Sequence, residues 1–122
     1  MEQVVENVCS ASLSGPGTLT EEELALIERV RQEYLALCPI PCTECRYCLP
    51  CPSGVNIPQI LRIYNELIIY DDRERARRLY SFLGDDELAS LCSECGECLT
   101  KCPQGIDIPE WLKKAHAMLC TD

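Results

Sequence analysis

Cys92-Ser-Glu-Cys95-Gly-Glu-Cys98-Leu-Thr-Lys-Cys102-Pro103 decides how this chain is read. Its four thiols stand three, three and four residues apart, and the last is followed by proline. Two intervening residues let successive sulfurs turn to one side of a winding loop, so three of them can address one face of a polynuclear metal core. The fourth points away, and the proline after it helps stop the chain from closing back into the same loop. A second group, Cys42-Thr-Glu-Cys45-Arg-Tyr-Cys48-Leu-Pro-Cys51-Pro52, repeats the pattern with one residue fewer before its last cysteine.

The unbroken C-x2-C-x2-C-x3-C-P spacing is the one that holds [4Fe–4S] clusters in bacterial ferredoxins, where the fourth cysteine of each run serves the other cluster. Applied here, that scheme expects two [4Fe–4S] clusters. Cys42, Cys45 and Cys48 would hold one with Cys102, and Cys92, Cys95 and Cys98 the other with Cys51. Structural zinc also takes four thiolates, though usually from two separated C-x2-C pairs. A structural or adaptor domain with two four-cysteine zinc sites is therefore the competing reading, and a cluster-based oxygen sensor a third. The shortened first group leaves the geometry of Cys51 open, and Cys38, four residues before Cys42, is a candidate substitute. The favoured reading of Cys38 is a buried, apolar-like thiol at a helix end. Cys9 and Cys120 have no partner at ligand spacing and read as free thiols.

Composition sets the frame. The 122 residues make one domain, too short for a (β/α)8 barrel of about 200 residues or more. A net charge of −9 argues against nucleic-acid binding. Met1-Glu-Gln lacks the basic and apolar regions of a secretory signal, and the longest apolar runs fall far short of the roughly 20 residues that span a bilayer. A soluble, cytoplasmic protein is expected, in which crowded cysteines read as metal ligands rather than disulfides. Two four-thiolate cubanes in the 2+ state would bring the charge to about −13, which predicts potentials in the lower part of the known span of about −700 to +450 mV.

Each cysteine group opens a repeated unit. Cys51-Pro-Ser-Gly54-Val-Asn56-Ile-Pro58-Gln59-Ile-Leu matches Cys102-Pro-Gln-Gly105-Ile-Asp107-Ile-Pro109-Glu110-Trp-Leu at an offset of 51. Asn56-x-x-Gln59 and Asp107-x-x-Glu110 read as capping boxes. The following apolar positions keep one helical phase, with Ile57, Ile60, Leu61, Tyr64, Leu67 and Ile68 matched by Ile108, Trp111, Leu112, Ala115, Met118 and Leu119. Two loop–helix units facing each other about a pseudo-twofold axis are expected. Thr20-Glu-Glu-Glu23 caps another helix, with Leu24, Ile27, Val30, Tyr34 and Leu37 on one side and an end near Leu37 set by Pro39 and Pro41. Asp72 caps a helix through about Phe82, closed by Gly84 as a left-handed C′ residue, and Asp85 a short helix reaching Ser90. No strand is expected. The fold class is all-α, with residues 1–17 a linker or the end of a preceding domain and 18–122 the dicluster domain.

Other residues read less sharply. Arg73, Arg75, Arg77 and Arg78 form a solvated basic surface paired with Glu74 and its neighbours, or alternatively a docking patch for an acidic redox partner. Arg46, Tyr47, Glu94, Gly96 and Glu97 lie inside the loops, where charge and hydrogen bonding tune a cluster. His116 reads as a surface residue at a helix C-terminal end, and Trp111 as core. No catalytic constellation, phosphate-cradling loop or nicotinamide fingerprint is present.

The stretches Pro41–Pro58 and Cys92–Pro109 resemble the C-terminal ferredoxin-like domain of a subset of aldo/keto reductases, over roughly residues 1–119. The helical arrangement is also similar to the dicluster domains of succinate dehydrogenase iron–sulfur subunits and heterodisulfide reductases. In the aldo/keto reductase subset the short Cys48-x2-Cys51 spacing is usual. Met1-Glu-Gln-Val-Val-Glu-Asn-Val8 resembles the end of the preceding barrel. The resemblance implies a detached C-terminal piece of an oxidoreductase, passing electrons between a redox partner and an attached reductase barrel. That family's catalytic Asp, Tyr, Lys and His belong to the barrel, and none maps onto this chain.

Overall fold

A computed structural model describes residues 1–120, which form helices and connecting loops with no strand among the described residues. The chain divides into two compact units, Met1–Tyr34 and Leu35–Asp122.

The first unit contains α1 (Glu2–Leu13) and most of α2 (Glu21–Leu37). The expected linker over residues 1–17 is helical for twelve of them, ending where Ser14 leaves helical geometry. Val4, Val5 and Val8 recur at helical spacing along α1, but none of its residues is buried. α2 starts where its capping box predicts: the Thr20 N–H donates to Glu23 Oε2 at 2.8 Å, and the Glu23 N–H to Thr20 Oγ1 at 3.2 Å. Its stripe of Leu24, Ile27, Val30, Tyr34 and Leu37 is exposed throughout.

The second unit is built from α3 (Ile57–Tyr70), α4 (Arg73–Ser81), a 3₁₀ turn at Ala89–Leu91, α5 (Glu97–Lys101) and α6 (Ile108–Leu119). α3 and α6 are the helices of the repeat, and they pack on each other and on α4, while α6 also covers the 3₁₀ turn. Ile57, Ile60, Leu61, Tyr64 and Leu67 from α3 meet Ile108, Leu112, Ala115 and Leu119 from α6 in one core. Tyr64 meets Trp111 edge-on, with ring centroids 5.6 Å apart. Ile68 departs from the expected stripe and is 38% exposed, while Ile63 on the neighbouring row is fully buried. α3 lies between two helices, so its buried face is wider than one heptad-like stripe.

The backbone bonds of the two copies correspond. Gly54 N–H donates to Cys51 O and Gly105 N–H to Cys102 O, at 3.0 and 3.2 Å. Ile57 N–H bonds Val55 O and Ile108 N–H bonds Ile106 O, both at 2.9 Å. The caps differ. Asp107 accepts the Glu110 N–H at 3.4 Å, as its sequence predicts. Asn56 makes no cap; its Nδ2 donates instead to Glu87 Oε1 at 2.9 Å, tying the start of α3 to the 84–87 turn. Asp72 caps α4 through the Arg75 N–H at 2.9 Å. Gly84 is not left-handed: α4 stops at Ser81, with Leu83 N–H bonded to Tyr80 O. The short helix expected after Asp85 is a turn at 84–87 followed by the single 3₁₀ turn. Of the arginine cluster, Arg75 pairs with Glu66 rather than Glu74, at 3.3 Å, and Arg77 donates to Met118 O, also at 3.3 Å. No helix among the described residues is long and apolar enough to cross a membrane.

The contrast between the units predicts unequal costs of truncation. Leu112→Ala empties a fully buried site and is expected to lose about 2–5 kcal/mol. Leu24→Ala, on the exposed stripe of α2, is expected to change stability by no more than about 0.5 kcal/mol. Urea titrations of the two variants check this.

Candidate metal centre

Each cysteine loop is shaped by left-handed backbone at matched places. Glu44 and Glu94 have φ of 53° and 54°, while Arg46 and Gly96, two residues on, have φ of 66° and 77°. Left-handed turns between successive cysteines swing the thiols back to one side, and each non-glycine residue there costs about 1–2 kcal/mol. Both glutamates and the arginine are thus held against their own preference by the surrounding loop. The loops differ at their ends. The second has the extra residue and closes through α5, a five-residue helix started at Gly96 that buries Cys98. The first has no helix and passes through a cis Leu49–Pro50 bond to Cys51. The sequence gives little sign of α5, since five residues carry no readable periodicity.

Two cavities lie under the loops. One is lined by Cys42, Cys45, Cys48 and Cys102, over an apolar floor that includes Leu61 and Ile108. The other is lined by Cys51, Cys92, Cys95 and Cys98, with Cys48 also on its wall and Ile57 and Leu112 in its floor. The first cavity thus takes three cysteines from its own loop and Cys102 from the other, and the second takes three from its own loop with Cys51 and Cys48 from the first. Both helices contribute to each floor: Leu61 and Ile108 lie under the first loop, and Ile57 and Leu112 under the second. Their empty volumes are about 330 and 340 Å³, counting space open to solvent. Cys38 lines neither cavity; it is half-buried, its Sγ 3.6 Å from Ile40 O. Cys9 and Cys120 are exposed, and all eleven cysteines are free. Among the described residues no three His, Cys, Asp or Glu side chains gather closely enough to hold a single metal ion.

The electrostatics follow the same partition. Burial pushes the Cys42 thiol up, helped by the Glu44 carboxylate and by Cys102 and Cys45, and opposed by a backbone hydrogen bond from Glu44. Burial raises Cys98 as well, with Cys92, Cys51 and Cys95 adding to it. Cys48 is pushed up to about 11, mainly by burial and then by Cys42, Cys45 and Cys98, which places it between the two sets. Thiolates crowded into a half-dry cavity repel one another, and a cationic core offsets that repulsion. Sulfur donors, apolar floors and mutual repulsion all fit an iron–sulfur core. Thr43, Glu44, Arg46 and Gln104 edge the first cavity, and Ser53, Ser93 and Gly96 the second. The Ser53 and Ser93 hydroxyls meet at 3.0 Å and join the two loops. Glu97, expected among these loop residues, instead pairs with Lys101 at 3.3 Å and lines neither cavity.

The sequence spanning both loops matches a family model for the 4Fe-4S dicluster domain over residues 41–106, more than half the chain. The chain belongs to that family. No curated protein and no solved structure matches it. The dicluster match begins one residue before Cys42 and ends four residues after Cys102, so it contains both loops and α3.

Two residues that the sequence reading passed over hold the dicluster loops in place. Asn65 is buried, and its side chain clamps Ile40 from both sides: Oδ1 accepts the Ile40 N–H at 3.1 Å, and Nδ2 donates to Ile40 O at 2.8 Å. Tyr80 holds the approach to the second loop, its hydroxyl accepting the Ala89 N–H at 3.0 Å and meeting His116 Nδ1 at 3.0 Å. His116 is thus half-buried and bonded rather than a free surface residue. A lone polar residue inside an apolar helical pattern was the one available signal for Asn65.

Two measurements probe this scaffold. Asn65→Ala leaves the Ile40 N–H buried without a partner, while Ile40 O keeps the Cys42 N–H at 2.7 Å, and is expected to cost about 1–3 kcal/mol, read from denaturant midpoints. Gly54 and Gly105 are both left-handed, but a Cβ at Gly54 would sit 2.5 Å from Asp86 O, whereas Gly105 faces open space. Gly105→Ala is expected to cost about 1 kcal/mol and Gly54→Ala distinctly more; equal midpoints would contradict the close approach.

Proposed function

We propose that this chain is an electron-transfer module carrying two [4Fe–4S] clusters. Cys42, Cys45, Cys48 and Cys102 ligate one, and Cys51, Cys92, Cys95 and Cys98 ligate the other. The observation that carries this reading is the partition of the thiols into two cavities, each completed by a cysteine from the opposite loop. When bound, such a cluster supplies one-electron redox chemistry with little change in geometry. The protein's share of the work is to hold the thiols, keep water from the inner face of each cavity and fix the two sites side by side. Ile57, Ile108, Leu61 and Leu112 supply the dry floor, and the clamps at Ile40 and Ala89 fix where each loop begins. Cys48 lies on the walls of both cavities, so its side chain stands between the two sites.

The likeness of residues 1–119 to the ferredoxin-like end of certain aldo/keto reductases supports a role in an oxidoreductase of that kind, in a reducing compartment. The barrel, or a separate redox protein, would be the partner. The exposed arginines of α4, Arg73 and Arg78, offer an acidic partner a basic contact on an otherwise acidic chain.

Anaerobic purification with iron and sulfide analysis tests the reading. The expected content is about eight of each per chain, with an EPR signal on reduction; a colourless protein with two zinc ions would replace electron transfer by a structural role. Cys102→Ala is expected to damage the cluster of the first loop and spare that of the second, and Cys51→Ala the reverse. Loss of the 92–98 cluster in Cys102→Ala would mean that each run serves its own cluster.

A further inference from the structure

The two copies need the same clamp and build it differently. On α3, Asn65 reaches the backbone of Ile40 directly. The matching position on α6, 51 residues on, is His116, which reaches the backbone only through the Tyr80 hydroxyl. The phenol is wedged where the first copy has direct contact. Beside it, between the approach to the second loop and α6, lies an open groove of about 500 Å³. Its walls include Ser90, Cys92, Glu94, Lys113 and His116. In the first copy the residue matching Ser90 is Ile40, fully buried under Asn65.

The groove's chemistry is specific in sign. The Lys113 ammonium, the Ser90 hydroxyl and the His116 ring present hydrogen-bond donors, and the Glu94 carboxylate an acceptor. Among the described residues neither Lys113 nor Glu94 has an ion-pair or hydrogen-bond partner. The neighbouring Lys114, by contrast, is engaged by Glu110 at 3.4 Å and lies over the Trp111 ring. A carboxylate with an adjacent hydroxyl or ammonium satisfies both unpaired charges at once, whereas a simple anion leaves Glu94 facing like charge.

We propose that this groove binds a small hydroxy- or amino-carboxylate against the wall formed by Cys92. A bound ligand adds its charge and hydrogen bonds beside one sulfur of the second site and none of the first, so it tunes the two sites unequally. That consequence rests on the ligand assignment proposed above; the binding itself does not.

Titration of the full chain with glycolate and with glycine, followed by calorimetry or NMR, tests the groove, with acetate as the analogue lacking the second group. Saturable binding of glycolate or glycine is expected, weakened at least tenfold by Lys113→Gln and by Glu94→Gln and unchanged by Lys114→Gln. Which of the two probes binds identifies the hydroxyl or the ammonium as the second group. In iron-loaded protein the bound ligand shifts the EPR signal of only the cluster lost in Cys92→Ala. No saturation, affinity that survives Lys113→Gln, or acetate binding as tightly as both probes overturns the proposal. Ligand binding to a chain that takes up no iron would sink the electron-transfer reading and leave the groove standing; an iron-loaded chain that ignores both probes would do the opposite.

Discussion

Neither cysteine loop can finish its own cavity. Thiols from both runs line each cavity, and both helices of the repeat contribute to each apolar floor. Everything else in the second unit serves that sharing. The crossing requires Cys51 and Cys102 to be carried across the molecule by the turns that start α3 and α6, so those two helices must pack at a fixed distance and phase. Their shared core of branched and aromatic side chains fixes both. Close packing makes such a core stiff, and that stiffness is passed to eight sulfurs through short, tightly bonded turns.

The loops themselves are less favourable than the helices that hold them. Left-handed glutamates and an arginine, repelling thiols and a dry floor are all local costs, and in protein of this kind they are offset by packing and by a cationic core. The offset is uneven. The first loop begins at a direct amide clamp from Asn65; the second begins at a relay of Tyr80 and His116, with a solvent-open groove beside it. The Ser53–Ser93 hydroxyl pair links the loops at the surface, so movement of one is felt by the other.

Much of this was legible in the residues. The cysteine intervals pointed to a 4Fe–4S dicluster domain, and the offset of 51 gave the repeat. The apolar phase gave α3 and α6, and Thr20 gave the start of α2. What escaped had physical reasons. α5 is too short to have a period. Ile68 and Ile63 exchanged places because α3 is flanked by α4 as well as α6, which a single-face pattern does not represent. Asn56 was drawn from its cap by Glu87, a partner 31 residues away, and Gly84 sits in a turn rather than at a left-handed helix end. His116 looked like a surface residue because nothing local shows that Tyr80 reaches it. α1 went unread although Val4, Val5 and Val8 recur at helical spacing, and none of its residues is buried.

The exchange of one thiol between matched units has an ancestral reading. Two separate copies of a single loop–helix cassette, related by a true dyad, would close the same pair of cavities, each lending a sulfur to its twin. In one polypeptide the meeting of the halves is intramolecular and independent of concentration. It also lets the halves differ, as the extra residue before one crossing cysteine and the amide here and imidazole there do.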